Sequence, residues 1–202
     1  VYGLSLEQED DQKILFKEAN IKSICKNIYC DIQNLDDVKK EIKKINPEIV
    51  FHLAGYAHDG KESFENKVNN ERINFQATKN LVEIASKKGI KQFIYLSSIK
   101  ASKNNPILKK QDETNQFEPD DSYGISKLNA EKSIIDQCKN NNMKYTILRP
   151  SLVYGPGVKG NLKKLYDAIK TGWLPPLPIY SNRKSMIHVD DLIHALHFVK
   201  MN

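Results

Sequence analysis

The chain has 202 residues, of which 40% are hydrophobic, and it carries a formal net charge of +6. This length suits one substantial domain and is too short for two comfortable ones. Nothing in it resembles a signal peptide, and no apolar run approaches the length of a membrane span. We therefore expect a cytoplasmic protein with no membrane partner.

The charge and the cysteines exclude two further classes of protein. The positive charge comes from lysines spread along polar helix faces, whereas a nucleic-acid binder more often clusters Arg and aromatic residues on one element. We therefore predict no nucleic-acid partner. The three cysteines, Cys25, Cys30 and Cys138, lack the spacing of a zinc or redox motif and are expected to be reduced thiols.

Predicted strands and helices alternate along the chain. Apolar runs predict strands at residues 1–6, 25–30, 48–55, 93–98, 144–150 (running on to 155) and 185–189. Helical periodicity predicts helices at residues 35–45, 63–88, 161–171 and 190–200, and one more that opens at Tyr123. The polar segment 103–121 is expected to form a loop over the strand ends. This alternation favours an α/β fold with a doubly wound parallel sheet.

The segment Glu48–Gly55 is a nearly continuous apolar run, which is typical of a strand buried on both faces of a parallel sheet. It ends in the small residues Ala54 and Gly55, which let a ligand approach the backbone closely. Open α/β sheets bind nucleotides at this carboxyl end of their strands. His52 lies in the middle of the run and is interpreted as a buried core histidine with a hydrogen-bond partner, not as a ligand.

The strongest constellation combines Ser97 and Ser98, at the end of the strand 93–98, with Tyr123 and Lys127, at the start of a helix. The chain contains three Tyr-x-x-x-Lys matches, and only the one at Tyr123 opens a helix behind residues of capping type. Four residues apart on a helix, the phenol and the ammonium are neighbours. Taken alone, Tyr123 would be interpreted as an ordinary residue at a helix start, and Ser98 as an ordinary residue at a strand end.

Together these residues indicate a hydride-transfer site. A free phenol has a pKa near ~10, so a base that works at neutral pH needs a shift of about 3 units, or roughly 4 kcal/mol. A cation at ~4 Å and an effective dielectric of ~20 supplies about that much. The residues therefore predict that Lys127 lowers the pKa of Tyr123 and that Ser98 orients a substrate hydroxyl.

Two other patterns are discounted. Gly155–Gly160 matches G-x-G-x-x-G, but the second strand and acidic residue of a dinucleotide fingerprint do not follow, so a glycine-rich turn beside a substrate is the better interpretation. His194 and His197 with Asp190 and Asp191 fall on one helix face at roughly metal-ligand spacing. The same residues also form a plain amphipathic helix with a capped start, and no metal is predicted.

Seven segments resemble those of one known family. They are, in order, YCDIQN, PEIVFHLAG, INFQATKNLVEIA, FIYLSSIKA, SYGISK, LRPSLVYGPG and RKSMIHVDD. With them the chain resembles, over essentially its whole length, the extended short-chain dehydrogenase/reductase family, the NAD-dependent epimerase/dehydratases of nucleotide sugars. The segments RPSLVYGPGVKGN and SSIKA look closest to bacterial members that make amino or deoxy sugars for surface polysaccharides.

The resemblance implies a fold and a division of the chain. The fold would be a Rossmann-like doubly wound parallel sheet that lacks its first βα unit, because the glycine fingerprint should precede Val1. Residues 1–150 would be an N-terminally truncated NAD(P)-binding domain. Residues 151–202 would start a small substrate-binding region interleaved with the last Rossmann elements. We expect this piece alone to bind dinucleotide poorly.

The resemblance also implies roles for particular residues. Ser98, Tyr123 and Lys127 match the family's catalytic triad, with Tyr123 as the acid/base, Lys127 lowering its pKa and Ser98 orienting the sugar hydroxyl. The implied cofactor-binding residues are Asp31, Ile32, Leu53, Ala54, Gly55, Asn74, Ser97, Tyr123, Lys127, Pro150 and Val153. The implied substrate-binding residues are Ser98, Tyr123, Asn161, Leu162, Arg183 and Lys184.

Three departures from the family pattern bear on specificity. NAD is the cofactor that the resemblance implies, but Ser5 stands where NAD enzymes of the family usually carry an acidic residue for the ribose hydroxyls, so NADP stays open. Leu152 stands where many epimerases have an Asn that contacts the substrate. Lys184 replaces an Arg that commonly grips the diphosphate, and Lys cannot bind bidentately.

The sequence therefore predicts an NAD(P)-dependent nucleotide-sugar enzyme that oxidises or reduces the sugar 4-position. It would be a UDP-sugar 4-epimerase or 4-keto reductase, with a UDP-linked sugar as substrate and a homodimer as its full-length form. A non-catalytic Rossmann-type nucleotide-binding or scaffold protein is the alternative. Nucleic-acid binding through the lysine excess is a third hypothesis and would show steep salt dependence.

Overall fold

The computed structural model describes residues 2–5, 26–57, 62–102, 118–158, 160–172 and 185–201. Several predicted features lie outside these residues. They include most of the loop 103–121 and the residues Arg183 and Lys184.

Within the described residues, seven short strands form three parallel groups. The first pairs β1 (Tyr2–Ser5) with β2 (Lys26–Tyr29). The second contains β3 (Ile49–His52), β4 (Gln92–Leu96) and β5 (Lys144–Leu148), in the order β3-β4-β5. The third pairs β6 (Leu152–Tyr154) with β7 (Met186–His188). All these pairings are parallel and helices separate most of the strands, which confirms the predicted α/β class.

The predicted strand 144–155 is divided into β5 and β6. The break falls at residues 149–151, which include Pro150. Proline has no N–H to donate to a ladder, so a strand that continues through it loses a hydrogen bond. At this point the chain leaves the group of β3, β4 and β5 and enters the pair of β6 and β7.

The helices are α1 (Leu35–Ile45), α2 (Phe64–Asn69), α3 (Ala77–Lys87), α4 (Ser122–Asn140), α5 (Gly160–Lys170) and α6 (Val189–Met201). A π-helical segment, Asn70–Gln76, joins α2 to α3, so the single helix predicted at 63–88 has three parts. The side chains of Asn34, Ser63 and Asp121 cap the N-termini of α1, α2 and α4.

The core lies between the central strands and three helices. Phe93 and Tyr95 of β4 pack against a buried cluster that includes Val38 of α1, Val82 of α3 and Ile134 of α4. Ile94 points to the opposite face of β4, because side chains alternate along a strand, and it is also fully buried. Both faces of β4 are therefore covered, as expected for a parallel sheet.

A helix that crosses a lipid bilayer must be both long and apolar. None of the helices in the described ranges is both long and apolar enough to cross a membrane.

Candidate functional site

The central strands end at one edge of their group, because all three run in parallel. At the end of β4 the chain continues into Ser97 and Ser98, and Ser98 caps a short 3₁₀ turn at Ile99–Ala101. Its Oγ accepts a hydrogen bond from the backbone N–H of Lys100 at 3.2 Å. The Ser98 hydroxyl is thus held in place as an acceptor and keeps its own proton for donation.

The start of α4 places Tyr123 and Lys127 beside this turn. The side chain of Asp121 accepts a hydrogen bond from the backbone N–H of Gly124 at 2.6 Å, which fixes where the helix begins. A Cβ atom at Gly124 would lie 2.3 Å from the carbonyl oxygen of Lys100 and 2.7 Å from Cβ of Pro119. Glycine at this position therefore lets the helix start approach the turn that carries Ser98.

Lys127 reaches from α4 to the end of β4. It is only 4% exposed, and its Nζ donates a hydrogen bond to the carbonyl oxygen of Leu96 at 3.1 Å. The same Nζ lies 4.8 Å from the ring centroid of Tyr95 and 5.9 Å from that of Tyr123. The Ser98 hydroxyl also hydrogen-bonds the Tyr123 phenol. The structure thus brings Ser98, Tyr123 and Lys127 together.

The charge balance of the site differs from the sequence-based expectation. Burial lowers the pKa of Lys127 to about 8, and the carboxylate of Glu131 acts in the opposite direction. Burial raises the pKa of Tyr123, against the lowering effect of the Ser98 hydrogen bond. The net shift of the Tyr123 pKa is therefore upward, and the lowering of this pKa by Lys127 stays a prediction. That prediction placed the cation at ~4 Å and left out the desolvation of the phenol.

The end of β3 forms a second side of the site. Leu53, Ala54 and Gly55 are exposed there, and a Cβ atom at Gly55 would lie 3.2 Å from Lys127 Nζ and 3.1 Å from Asn74 Oδ1. This strand end and Lys127 are therefore in direct contact. The exposed backbone beside an ammonium offers room for a ligand. This fits the expectation that Ala54 and Gly55 let a ligand approach the backbone closely.

Asn74 ties the β3 end to α4. Its Oδ1 accepts a hydrogen bond from the backbone N–H of Tyr56 at 2.7 Å, and its Nδ2 donates to the carbonyl oxygen of Tyr56 at 2.9 Å. Nδ2 also lies 3.1 Å from Asn70 Oδ1 and 3.3 Å from Ser126 Oγ. Asn74 belongs to the π-helical segment, a feature that often marks functional sites. The sequence singled out Asn74 but missed its buried partners, Asn70 and Ser126.

The other candidate residues occupy different parts of the fold. Asp31 and Ile32 follow β2, and Asp31 accepts a hydrogen bond from the backbone N–H of Gln33 at 2.9 Å. The carbonyl oxygen of Pro150 accepts a hydrogen bond from the Ile99 N–H at 3.1 Å, next to Ser98. The remaining candidates within the described ranges are Val153 in β6 and Asn161 and Leu162 in α5.

Three secondary expectations are also addressed by the structure. His52 is buried, and its Nε2 lies 2.8 Å from Thr78 Oγ1, which confirms a core histidine with a partner. Gly155 and Gly157 have φ values of 138° and 77°, as a glycine-rich turn requires. No group of three or more His, Cys, Asp or Glu residues suited to a metal occurs in the part of the chain that the structure describes.

One buried ionic cluster has no signal in the sequence. Ser97 Oγ donates to Glu131 Oε1, and Arg149 binds both carboxylate oxygens of Glu131 through Nε, at 2.9 Å, and Nη2. These three residues are far apart in sequence and show no motif spacing, so only the tertiary structure unites them.

Known proteins have sequences similar to that of this chain. The family model described as "NAD dependent epimerase/dehydratase family" matches residues 5–202. A UDP-glucose 4-epimerase of Vibrio cholerae is 35% identical over 172 residues, which are 82% of this chain and 51% of that protein. Human short-chain dehydrogenase/reductase family 42E member 1 is 25% identical over 210 residues, 96% of this chain and 53% of that protein. The chain thus spans about half the length of the curated relatives it matches.

Solved structures give the same fold. The UDP-glucose 4-epimerase of Thermus thermophilus, in complex with NAD, matches 98% of this chain and 65% of its own, with a TM-score of 0.78 at 20% identity. The UDP-glucuronic acid 4-epimerase of Bacillus cereus, in complex with NAD and UDP-glucuronic acid, matches 100% of this chain and 65% of its own, with a TM-score of 0.78 at 21% identity. These matches confirm the predicted Rossmann-like fold. On the family match and the Vibrio relative, this chain belongs to the NAD-dependent epimerase/dehydratase family.

Proposed function

We propose that this chain carries the catalytic residues of an NAD-dependent enzyme that oxidises or reduces the 4-position of a nucleotide-linked sugar. The observation that carries the proposal is the convergence of Ser98, Tyr123 and Lys127 at the ends of the central strands. Several similar proteins are named as UDP-sugar 4-epimerases, which supports a UDP-linked substrate. The protein would thus be a UDP-sugar 4-epimerase or a 4-keto reductase.

The β3 end fits a cofactor beside Lys127. Its exposed residues, Leu53 to Gly55, leave the backbone open, and any side chain at Gly55 would crowd the ammonium. When bound, NAD accepts a hydride from the sugar ring or returns one to it. The residues proposed to hold it are Asp31, Ile32, Leu53, Ala54, Gly55, Asn74, Ser97, Tyr123, Lys127, Pro150 and Val153. Ser5 gives no reason to prefer NAD over NADP at the ribose, so the choice rests on the relatives.

Tyr123 moves the proton in this proposal. Burial raises its pKa, so the phenol holds its proton at neutral pH and is ready to donate it to a keto oxygen that is being reduced. Ser98 supports the same oxygen in this proposal, because its Oγ accepts from the Lys100 N–H and its proton lies beside the Tyr123 phenol, where a keto oxygen would receive it. The oxidising direction is the reverse transfer, in which the Tyr123 phenolate takes the proton of the sugar hydroxyl. Lys127, buried against Leu96 and Tyr95, supplies positive charge to the site.

The nucleotide diphosphate would bind beyond the triad. Asn161 and Leu162 lie at the start of α5, and we assign them to substrate binding together with Arg183 and Lys184, which lie outside the described residues. Leu152 would leave this site without the amide contact that an Asn provides. We extend the proposal to a division near residue 150, a cytoplasmic location and a homodimer of the full-length protein.

The test compares the full-length protein with its Tyr123→Phe variant. Each is incubated with UDP-hexoses, UDP-N-acetylhexosamines and a UDP-4-keto-sugar, with and without added reduced cofactor, and the products are analysed by chromatography. We expect Tyr123→Phe to lower turnover at least about 10²-fold, because it removes the general acid/base. Conversion of a UDP-hexose without added reduced cofactor indicates an epimerase, and reduction of the UDP-4-keto-sugar at the expense of added reduced cofactor indicates a reductase.

The alternative is a scaffold protein that keeps the fold without turnover. Circular dichroism of Tyr123→Phe serves as the control for folding. A folded variant as active as the unchanged protein, or as effective in the cell, would contradict the enzyme proposal and favour the scaffold.

A further inference from the structure

A buried ionic cluster lies against the candidate site and takes no part in the proposed proton transfer. It consists of Ser97, Glu131 and Arg149, which come from the end of β4, from α4 and from the end of β5. Glu131 is only 3% exposed, and a carboxylate so deeply buried is costly unless its oxygens are bonded. Ser97 and Arg149 supply those bonds to both oxygens.

This cluster shares a helix face and a strand end with Lys127. Glu131 follows Lys127 by one helical turn, so both side chains leave α4 on the same side. Lys127 binds the carbonyl oxygen of Leu96, and Glu131 binds the hydroxyl of Ser97, the next residue. The helix therefore holds two successive residues of the strand end, and Ser98 is the third.

The strand end is also tied to β5. The backbone N–H of Ser97 donates to the carbonyl oxygen of Leu148 at 2.8 Å, and that of Ile99 donates to Pro150 at 3.1 Å. Arg149 lies between these two acceptors and carries the other half of the ion pair. A change at Glu131 is therefore transmitted to both residues that flank Ser98.

The charge on Lys127 depends on few neighbours. From β3 it faces His52, whose pKa burial lowers to about 3, so this ring is neutral. From β4 and α4 it faces Tyr95 and Tyr123, whose pKa values burial raises, so both phenols are neutral as well. Lys100 and Asp121 pair with each other at 3.4 Å near Tyr123. Among the described titratable groups, Glu131 is the one whose charge raises the Lys127 pKa, against the effect of burial.

We propose that Glu131 is a positioning residue of this site. Clamped by Ser97 and Arg149, its carboxylate keeps Lys127 as an ammonium and fixes the strand end that carries Ser98. The consequence for turnover rests on the proposed function. The consequence for the charge of Lys127 is independent of it and is measured without substrate.

The experiment titrates Lys127 by NMR in the full-length protein labelled with ¹³C-lysine, and Lys127→Met identifies its resonance. In the unchanged protein we expect a midpoint of about 8. In Glu131→Gln we expect the midpoint to fall below that of the unchanged protein, because a buried ammonium has lost its carboxylate. Glu131→Asp, which keeps the charge, should recover most of the difference. Asp136→Asn removes an exposed carboxylate from the same helix and should leave the midpoint where it was.

Turnover provides a second measurement. With Glu131→Gln, the alkaline limb of the pH–rate profile should move to lower pH, so activity lost at pH 8 returns in part at pH 6.

An unshifted Lys127 midpoint in folded Glu131→Gln, or an Asp136→Asn shift of equal size, would overturn the proposal. Should Glu131→Gln fail to fold, a midpoint well below neutral in the unchanged protein, or a midpoint in Glu131→Asp far below that of the unchanged protein, would do the same. If the titration shifts as expected but no protein turns over UDP-sugars, the proposed function fails and the positioning role of Glu131 stands.

Discussion

Lys127 lies where the ends of β3 and β4 approach the start of α4. Burial removes most of the water from its ammonium, and protein groups take that place: the Leu96 carbonyl, the face of the Tyr95 ring and the nearby Glu131. A desolvated cation over an aromatic face gains about 2 kcal/mol, which offsets part of the desolvation cost. A small displacement of the ammonium would therefore alter its contacts with the Leu96 carbonyl and the Tyr95 ring.

Gly55→Ala tests how closely the β3 end fits that ammonium. The added Cβ atom would lie 3.2 Å from Lys127 Nζ and 3.1 Å from Asn74 Oδ1, so both side chains must move by a few tenths of an ångström. Because misplacing a catalytic group by ~1 Å costs on the order of 10²-fold in rate, we expect turnover of the full-length protein to fall about tenfold. Steady-state kinetics measure the loss, and thermal unfolding checks the fold.

Ala57→Ser is the matched control for this prediction. Ala57 is exposed in the same loop, and the substitution also adds a single heavy atom. Turnover in Gly55→Ala equal to that of Ala57→Ser would show that the strand end does not press on Lys127.

The spacing of Tyr123 and Lys127 and the strand-end serines identified the catalytic candidates from sequence alone. The direction of the Tyr123 pKa could not be predicted, because it depends on how much water the folded protein removes from the phenol. Glu131 was missed for a similar reason. On α4 it reads as an ordinary polar residue, and its partners lie on two different strands.

At the scale of elements, α4 organises the site through the contact at its first turn. Asp121 caps this turn, and Gly124 brings it against the chain that follows Ser98. Without that close approach, Tyr123 and Ser98 would sit on separate elements with no shared hydrogen bond. The site thus depends on one glycine at which two pieces of backbone nearly touch.

Gly124→Ala should separate these two elements. Its Cβ atom would lie 2.3 Å from the carbonyl oxygen of Lys100, a backbone atom that cannot turn away as a flexible side chain would. Overpacking of this kind typically costs about 1–3 kcal/mol, so we expect the free energy of unfolding to fall by that amount in urea titrations. Asn140→Ala, at the exposed end of the same helix, should change it by less than about 0.5 kcal/mol. Equal stability of the two variants would contradict the tight contact.

The elements themselves were predicted unequally well. Helix α1 has the predicted bounds, because its apolar stripe, its Asn34 cap and the following Pro47 all agree. The helix predicted at 63–88 contains a π-helical segment instead, since Asn70 and Asn74 are fixed by partners on other elements. Tertiary contacts of this kind leave no periodic trace in the sequence.

At the scale of the whole molecule, the two covered faces of β4 decide how the protein responds to acid. The layer that contains Phe93 and Tyr95 also buries His52, whose ring packs on both and binds Thr78. Burial removes the water that a charged imidazole would need and Lys127 repels such a charge, so the neutral ring is favoured here.

His52→Gln tests this response. The pKa of His52 is about 3 in the folded chain and 6.5 in the unfolded one, so between these values only the unfolded chain takes up the proton. Stability is therefore fully present above pH 6.5 and falls with acid by about 1.4 kcal/mol per pH unit on this account. Urea unfolding of the full-length protein at pH 7, 6, 5 and 4 should show a shallower decline of the free energy of unfolding in His52→Gln, although that variant is less stable at pH 7.

His194→Gln changes an exposed histidine and is the control, and its free energy of unfolding should decline like that of the unchanged protein. Parallel declines in all three proteins would show that His52 is not the buried group that acid must charge.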